Sequence, residues 1–346
     1  MTISRILTVE RLKSYGMAVA QLIEILRAEE HGHVVVPSRG AHPFYSCAEL
    51  VDLSIFGNKD RNLRRATYLP FTSDFGNASE LCSASIRRYW VNLLVELVNG
   101  KQSGLAAFHN RLVDFVHRRF QITPGDTVVH HSGNGSRVVF IDTAVSGRAI
   151  AEIIGSFREC AFSDYLIILF KAERSGFRTP YREVIETEAR QGRLRIIEVE
   201  ELFSEDQSPL LNGGCTSVVF PNLIEEARMR NGRMKDLDAA GGGVYMLNAT
   251  SVLHGSSYNG ITGLMHHAIY RYASEWFESP QKWSYDEVLS DRILQLEKDL
   301  PLVPLEREHT LMLADHLIKD YGHSPTVSPS HVIRLDLTAE DIRYLV

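Results

Sequence analysis

Three apolar runs punctuate the middle of the chain: RVVFID (137–142), YLIILFKA (165–172) and LRIIEVE (194–200). Between them lie two stretches with apolar positions at helical spacing, 148–159 and PYREVIETEARQG (180–192). A strand read as an almost continuous apolar run is buried on both faces, and strands alternating with helices indicate a mostly parallel sheet with helices on either side. The same alternation begins earlier. Leu12, Met17, Val19, Leu22, Ile25 and Leu26 predict an opening amphipathic helix over 8–30. HVVV (33–36) is a β-branched run stopped by Pro37, and SCAELVDLSIF (46–56) reads as the next helix.

From about 57 to 125 the pattern changes. KDRNLRRATYLPFTSDFGNAS (59–79) reads as an irregular loop, followed by helices at IRRYWVNLLVELV (86–98) and AAFHNRLVDFVHRRF (106–120). DTVVHHSG (126–133) is expected to be a strand joined to RVVFID through a hairpin turn at SGNGS (132–136), and SVVF (217–220) a further strand. The expected organisation is an α/β domain over 1–230 with a helical and loop insertion at 57–125. A mainly helical region follows over 231–346, opened by the Gly-rich DAAGGGVYMLNATSVLHG (238–255) and expected to pack on the sheet or to form a homodimer surface.

Composition narrows the function classes. The chain has 346 residues, 44% hydrophobic and 23% charged, as in an ordinary globular protein, with a formal net charge of -6. That mild acidity, with no basic stripe interleaved with aromatics, argues against nucleic acid as a partner. No apolar run approaches the ~18 residues of a membrane span, and the opening MTISRILTVERLKSYG is not a signal peptide. Cys47, Cys82, Cys160 and Cys215 form no C-x-x-C pair, and a reduced, cytoplasmic protein is expected. His31 with His33, His130 with His131 and His266 with His267 have no further Cys or His at metal-ligand spacing, so structural or surface roles are expected of them.

The candidate chemistry sits at the end of RVVFID. Ligands of open α/β sheets bind beyond the carboxyl ends of the strands. There Asp142 is followed by Thr143, Ala144, Val145, Ser146, Gly147, Arg148 and Ala149. Small residues let main-chain N–H groups approach a phosphate, Thr143 and Ser146 supply hydroxyls, and the next helix offers its positive end. Asp142 would repel a bare phosphate, but suits sugar hydroxyls or a metal ion accompanying the phosphate. No P-loop lysine is present, and SGNGS precedes a strand instead of following one.

VVFIDTAVSGRAI resembles the signature of type I phosphoribosyltransferases, in which a buried strand ends in two acidic residues ahead of a small-residue turn closing on Thr/Ser-Gly. The resemblance implies a type I phosphoribosyltransferase-like fold. Residues 142–149 would cradle the 5′-phosphate and ribose of phosphoribosyl pyrophosphate (PRPP), and Asp142 would serve both catalysis and Mg2+, directly or through water. Aligned on Ser146-Gly147, Asp142 takes the second acidic place, Ile141 stands at the first, and Val145 replaces the acid of the purine-salvage members. VVVPSRGAHPF resembles the family's first strand and pyrophosphate loop, which implies that Ser38, Arg39, Gly40 and Ala41 bind the leaving pyrophosphate, with Arg39 catalytic. KDRNLRR, through Arg61, Arg64 or Arg65, is the candidate mobile loop.

Three functions remain open on these residues. The first is a phosphoribosyltransferase, a glycosyltransferase of nucleotide metabolism that uses PRPP and Mg2+ on an unidentified acceptor. The second is a non-catalytic protein of the same fold that senses PRPP or a nucleotide, to which Ile141 and the 57–125 insertion both point. The third is an α/β hydrolase or phosphotransferase with Asp142 as nucleophile. Phe44 and Tyr45 could stack on a ring, but they also stand at helix core positions.

Overall fold

The structure, a computed structural model, describes residues 4, 7–36, 41–60, 63, 66–68, 80–101, 104–120, 136–144, 146–200, 202, 255–278 and 285–299. The strands expected at 126–133 and 217–220, the Gly-rich stretch up to 254 and the chain beyond 299 lie outside the described residues.

Five strands form one sheet: β1 (His33–Val36), β2 (Thr67–Tyr68), β3 (Val138–Thr143), β4 (Tyr165–Ala172) and β5 (Leu194–Val199). All neighbouring pairs are parallel, in the order β2-β1-β3-β4-β5. Every residue of β3 and β4 is buried, which explains why both read as unbroken apolar runs. β5 is half-exposed, with Arg195, Ile196 and Glu198 facing out. The two-residue β2 was expected to be loop; a run so short leaves no periodic signal, and Thr67 joins the sheet because β1 offers it an edge at Val35.

Eight helices are described: α1 (Val9–Ala28), α2 (His42–Asp60), α3 (Glu80–Val98), α4 (Leu105–Phe120), α5 (Arg148–Glu159), α6 (Thr179–Arg190), α7 (Gly255–Phe277) and α8 (Tyr285–Asp299). From β1 the chain winds one way to β2, and from β3 the other way through β4 to β5. Right-handed crossovers then place α2 on one face, and α5 and α6 on the other. Alternate residues divide accordingly. Val34, Val36, Val139, Ile141, Ile168 and Phe170 pack with α1, α2 and α7, whereas Val35, Phe140, Ile167 and Leu169 pack with α3, α5 and α6. By this alternation Asp142 belongs to the α5 face and Thr143 to the α1 face.

Phe44 and Tyr45 are core residues. Phe44 is sandwiched between Phe170, at 3.8 Å between ring centroids, and Tyr15, at 4.6 Å. Helix α7 crosses α1 so closely that a Cβ on Gly16 would lie 2.3 Å from the Tyr272 Cβ.

Side-chain pairs orient the helices relative to the sheet edges. Glu200, just past β5, donates its N–H to Ser14 at 2.9 Å, so α1 starts at the carboxyl edge and ends at the amino edge, where β1 begins. On the other face, Arg87 and Arg88 of α3 meet Glu152 and Glu159 of α5, and Asn92 meets Cys160. The contacts advance along both helices together, so α3 runs parallel to α5 and its N-terminal half lies toward the carboxyl edge.

Candidate functional site

The winding direction reverses between β1 and β3, and at such a reversal the connections leaving two adjacent strands diverge to open a crevice beyond their carboxyl ends. Val35 pairs with Phe140, so Val36 ends its strand beside the stretch that carries Asp142. Of the residues after β1, Ser38, Arg39 and Gly40 lie outside the described residues, whereas Ala41 is buried at the start of α2, its carbonyl accepting from the Tyr45 N–H at 3.1 Å. After β3, Val145 alone lies outside.

Asp142 is 6% exposed, and one of its carboxylate oxygens accepts the Thr143 N–H at 2.8 Å. Thr143 is also buried. The Ala144 N–H is committed to the sheet, donating to the Phe170 carbonyl at 2.9 Å, so Ala144 contributes space and no donor. Ser146 turns the chain: its carbonyl accepts from Arg178 N–H at 3.1 Å and its Oγ from Arg148 N–H at 3.4 Å. Gly147 then caps α5 in the left-handed conformation, φ +83°, with no side-chain cap hydrogen bond. An added Cβ there would meet Ile185 at 2.7 Å and Phe177 at 3.1 Å, so conformation and packing both call for glycine. Helix α5 therefore presents first-turn amides such as that of Ala149 at the carboxyl edge with no side chain over them from the cap residue, while the Arg148 amide is met by Ser146 Oγ.

The connection from β4 to α6 (173–178) walls this turn, through Phe177 over Gly147 and the Arg178–Ser146 bond. Lys171 lies on the same sheet face as Asp142, two residues beyond the Leu169 that pairs with it. It is 9% exposed, with Nζ 3.1 Å from Glu198 and 3.2 Å from the Ala172 carbonyl. Sequence reasoning passed over it because it lies inside an apolar run, with Ala172 after it. Arg87 of α3, 5% exposed, pairs with Glu152 of α5.

Arg61, Arg64 and Arg65 lie outside the described residues, but Leu63 between them is described. It is buried, and its N–H donates at 3.0 Å to Asp52, whose other oxygen meets Arg27 near the end of α1, also at 3.0 Å. That anchor belongs to the amino edge, across the sheet from Asp142.

Among the described residues no group of three or more His, Cys, Asp or Glu is placed to hold a metal ion, and no helix is long and apolar enough to cross a membrane. His31 is buried with Nδ1 3.1 Å from the Glu29 carbonyl, and the exposed His267 pairs with Tyr285 at 2.8 Å. Cys47 is buried, which pushes its thiol up to about 12 and leaves it unsuited to nucleophilic work. Comparison of the chain with protein-family models, with curated proteins and with solved structures finds no match.

Proposed function

We propose that the chain is a type I phosphoribosyltransferase-like enzyme that binds PRPP with Mg2+ and transfers the phosphoribosyl group to an acceptor. The observation that carries the reading is the junction at the winding reversal. There a buried carboxylate, a left-handed glycine and the open N-terminus of a 12-residue helix stand beside the end of β1. The helix end and turn amides suit a phosphate ester, and a carboxylate at the base of the same turn suits ribose hydroxyls. Mg2+ fits this donor set as an ion held by one carboxylate and by substrate oxygens, since it keeps several waters and seldom occupies an all-protein cage. It would neutralise charge on the leaving pyrophosphate.

In the transfer, the bond from the anomeric carbon to pyrophosphate breaks and pyrophosphate keeps the electron pair. The acceptor's lone pair forms the new bond at that carbon, and the acceptor releases its proton. Ser38, Arg39, Gly40 and Ala41, on the connection that leaves β1, are assigned to the pyrophosphate, and residues 142–149 to the ribose and 5′-phosphate.

A sensor that binds PRPP or a nucleotide without turnover is the second reading, favoured by Ile141. That side chain is fully buried among the residues facing α1 and α2, so the place of a second ribose-binding acid belongs to the core. Calorimetry with PRPP and Mg2+ is the test. Micromolar binding that Asp142→Asn weakens at least ~30-fold, about 2 kcal/mol, supports both readings, and pyrophosphate release with a panel of bases selects the enzyme. Absence of PRPP binding to the wild-type chain rejects the enzyme.

A further inference from the structure

We propose that the connection from β4 to α6, with the first turn of that helix, holds a second anion subsite, and that the acceptor in the transfer carries a phosphate of its own. The inference rests on the PRPP-binding reading of the 142–149 turn and names the substrate class which that reading leaves open. Its basis is the placement of Arg174, Arg178 and Arg182 beside the turn assigned to the sugar.

The positive charge is local. KAERSGFRTPYR (171–182) has four basic residues and one acid, in a chain whose formal net charge is -6. Lys171 is answered by Glu198. Arg174, Arg178 and Arg182 are exposed, and among the described residues no carboxylate pairs with them. Exposure alone does not explain this, since the exposed Arg88 meets Glu159, and Arg137, Arg158 and Arg193 also find carboxylates.

Main-chain bonds hold two of the three against the turn. The Arg178 N–H donates to the Ser146 carbonyl at 3.1 Å, and Phe177 lies over Gly147. Arg178 is also the N-cap residue of α6, but its side chain makes no capping bond. Arg182 has Glu186 one helical turn ahead, the ordinary place for an ion-pair partner. Its guanidinium instead folds back toward the turn and donates to the Phe177 carbonyl at 3.0 Å. A guanidinium fork matches two oxygens of a phosphate, and its bonds to an anion are charge-assisted.

Strand order says whose phosphate this is. β3 lies between β1 and β4. The phosphates of PRPP are assigned to the 142–149 turn and to the connection leaving β1, so an anion on the β4 side belongs to the other reactant. The acceptor's lone pair reaches the anomeric carbon from the side away from the departing pyrophosphate, and that is the side of β4. A phosphate on the acceptor would orient it there.

Calorimetry of the full chain tests this with inorganic phosphate, titrated after PRPP and Mg2+ have saturated their site, alongside thermal melting. The wild-type chain is expected to bind phosphate while PRPP stays bound, and more weakly at high salt. Arg178→Gln/Arg182→Gln should weaken phosphate about ten-fold or more, with PRPP affinity and melting temperature unchanged. Arg178→Lys/Arg182→Lys, which restores the charge without the fork, should recover part of the loss. Arg190→Gln, in the last turn of α6, should alter nothing. Four results overturn the proposal: no phosphate binding to the PRPP-loaded chain, phosphate that displaces PRPP, a glutamine pair that binds phosphate as wild type does, or one that loses PRPP equally. If the glutamine pair fails to fold, Arg178→Gln alone decides. A wild-type chain that does not bind PRPP removes the underlying reading too, whereas PRPP binding without phosphate binding removes this inference alone.

Discussion

Both edges of the sheet pair their buried charges, at the carboxyl edge Lys171 with Glu198 and Arg87 with Glu152, but they differ in how a helix end is met. At the amino edge, buried carboxylates are saturated. Glu188 is fully buried and accepts from Arg158 at 2.6 Å, Arg193 at 2.6 Å and the Tyr165 hydroxyl at 2.9 Å. Asp52, also fully buried, is shared between Arg27 and the Leu63 N–H, and the Arg27 guanidinium stacks 3.6 Å over Phe56. Arg137 bridges Glu29 and Asp164 ahead of β3. At the carboxyl edge, the α5 cap residue brings no side-chain hydrogen bond and the backbone turns left-handed. On the proposed reading, the difference separates groups that hold the fold from a helix end kept ready for a ligand. A buried charge with all its partners is a structural fixture, whereas an open helix end is costly unless water or a ligand meets it.

The sharpest way to break this comparison is at Glu188. Burial pushes its carboxyl up, but hydrogen bonds from Arg193, Arg158 and Tyr165 outweigh burial and hold it below the ordinary range. Burial and the same carboxylate push the Tyr165 hydroxyl up to about 12. Glu188→Ala should cost about 2–3 kcal/mol in urea unfolding, because it leaves the buried Tyr165 hydroxyl unsatisfied and takes the shared acceptor from Arg158 and Arg193. The protein that remains folded should bind PRPP as before; a selective loss of binding at unchanged stability would erase the division between the edges.

Glycine substitutions come next in size. Gly147→Ala must hold a non-glycine residue at φ +83° and push Ile185 aside. The expected cost is about 1–3 kcal/mol, together with loss of PRPP binding seen by calorimetry. Gly16→Ala should cost about 1–3 kcal/mol as well, through contact with Tyr272, while binding stays intact. If both variants lose binding equally, Gly147 matters only to packing.

The smallest effect is acid sensitivity away from both edges. His109 of α4 is buried, and its Nδ1 pairs with the Tyr89 hydroxyl of α3 at 2.8 Å. Burial lowers its pKa below the ordinary 6.5. The unfolded chain therefore binds the proton first, and stability from this group is complete above about pH 6.5 and lost as pH falls toward the folded value. Glu188, also lowered, adds a separate loss that starts only below its ordinary 4.5. Burial lowers His266 and His267 of α7 in the same way, so His109→Gln should remove only its own share of the upper fall, about 1 kcal/mol, in stability measured from pH 7 to 5. A His109→Gln profile that still falls between pH 6.5 and 5 as in wild type would assign the step elsewhere.

Much of the architecture was legible as pattern. The apolar runs at 137–142 and 165–172 read as strands covered on both faces, as β3 and β4 are, and the expected helix at 148–159 matches α5. Gly147 was legible as a residue of the turn, but its second reason, contact with Ile185 and Phe177, joins positions 30 and more apart in sequence. The same distance hid the Arg87–Glu152 pair and the place of Lys171 on the sheet face of Asp142. Phe44 was ambiguous in sequence because a ring that stacks on a ligand and a ring that stacks on Phe170 are the same residue type at the same helical spacing.

What the amino-acid order determined alone is local: which segments are strand or helix, which face of each helix is apolar, and where glycine and small residues let the backbone turn. These follow from side-chain periodicity and from backbone sterics within a few residues. Tertiary structure decided the strand order, and with it the reversal that sets the ends of β1 and β3 side by side. It also decided which carboxylates are saturated and which edge the Leu63 anchor occupies. Those outcomes depend on partners far apart along the chain, brought together only when both faces of the sheet are buried.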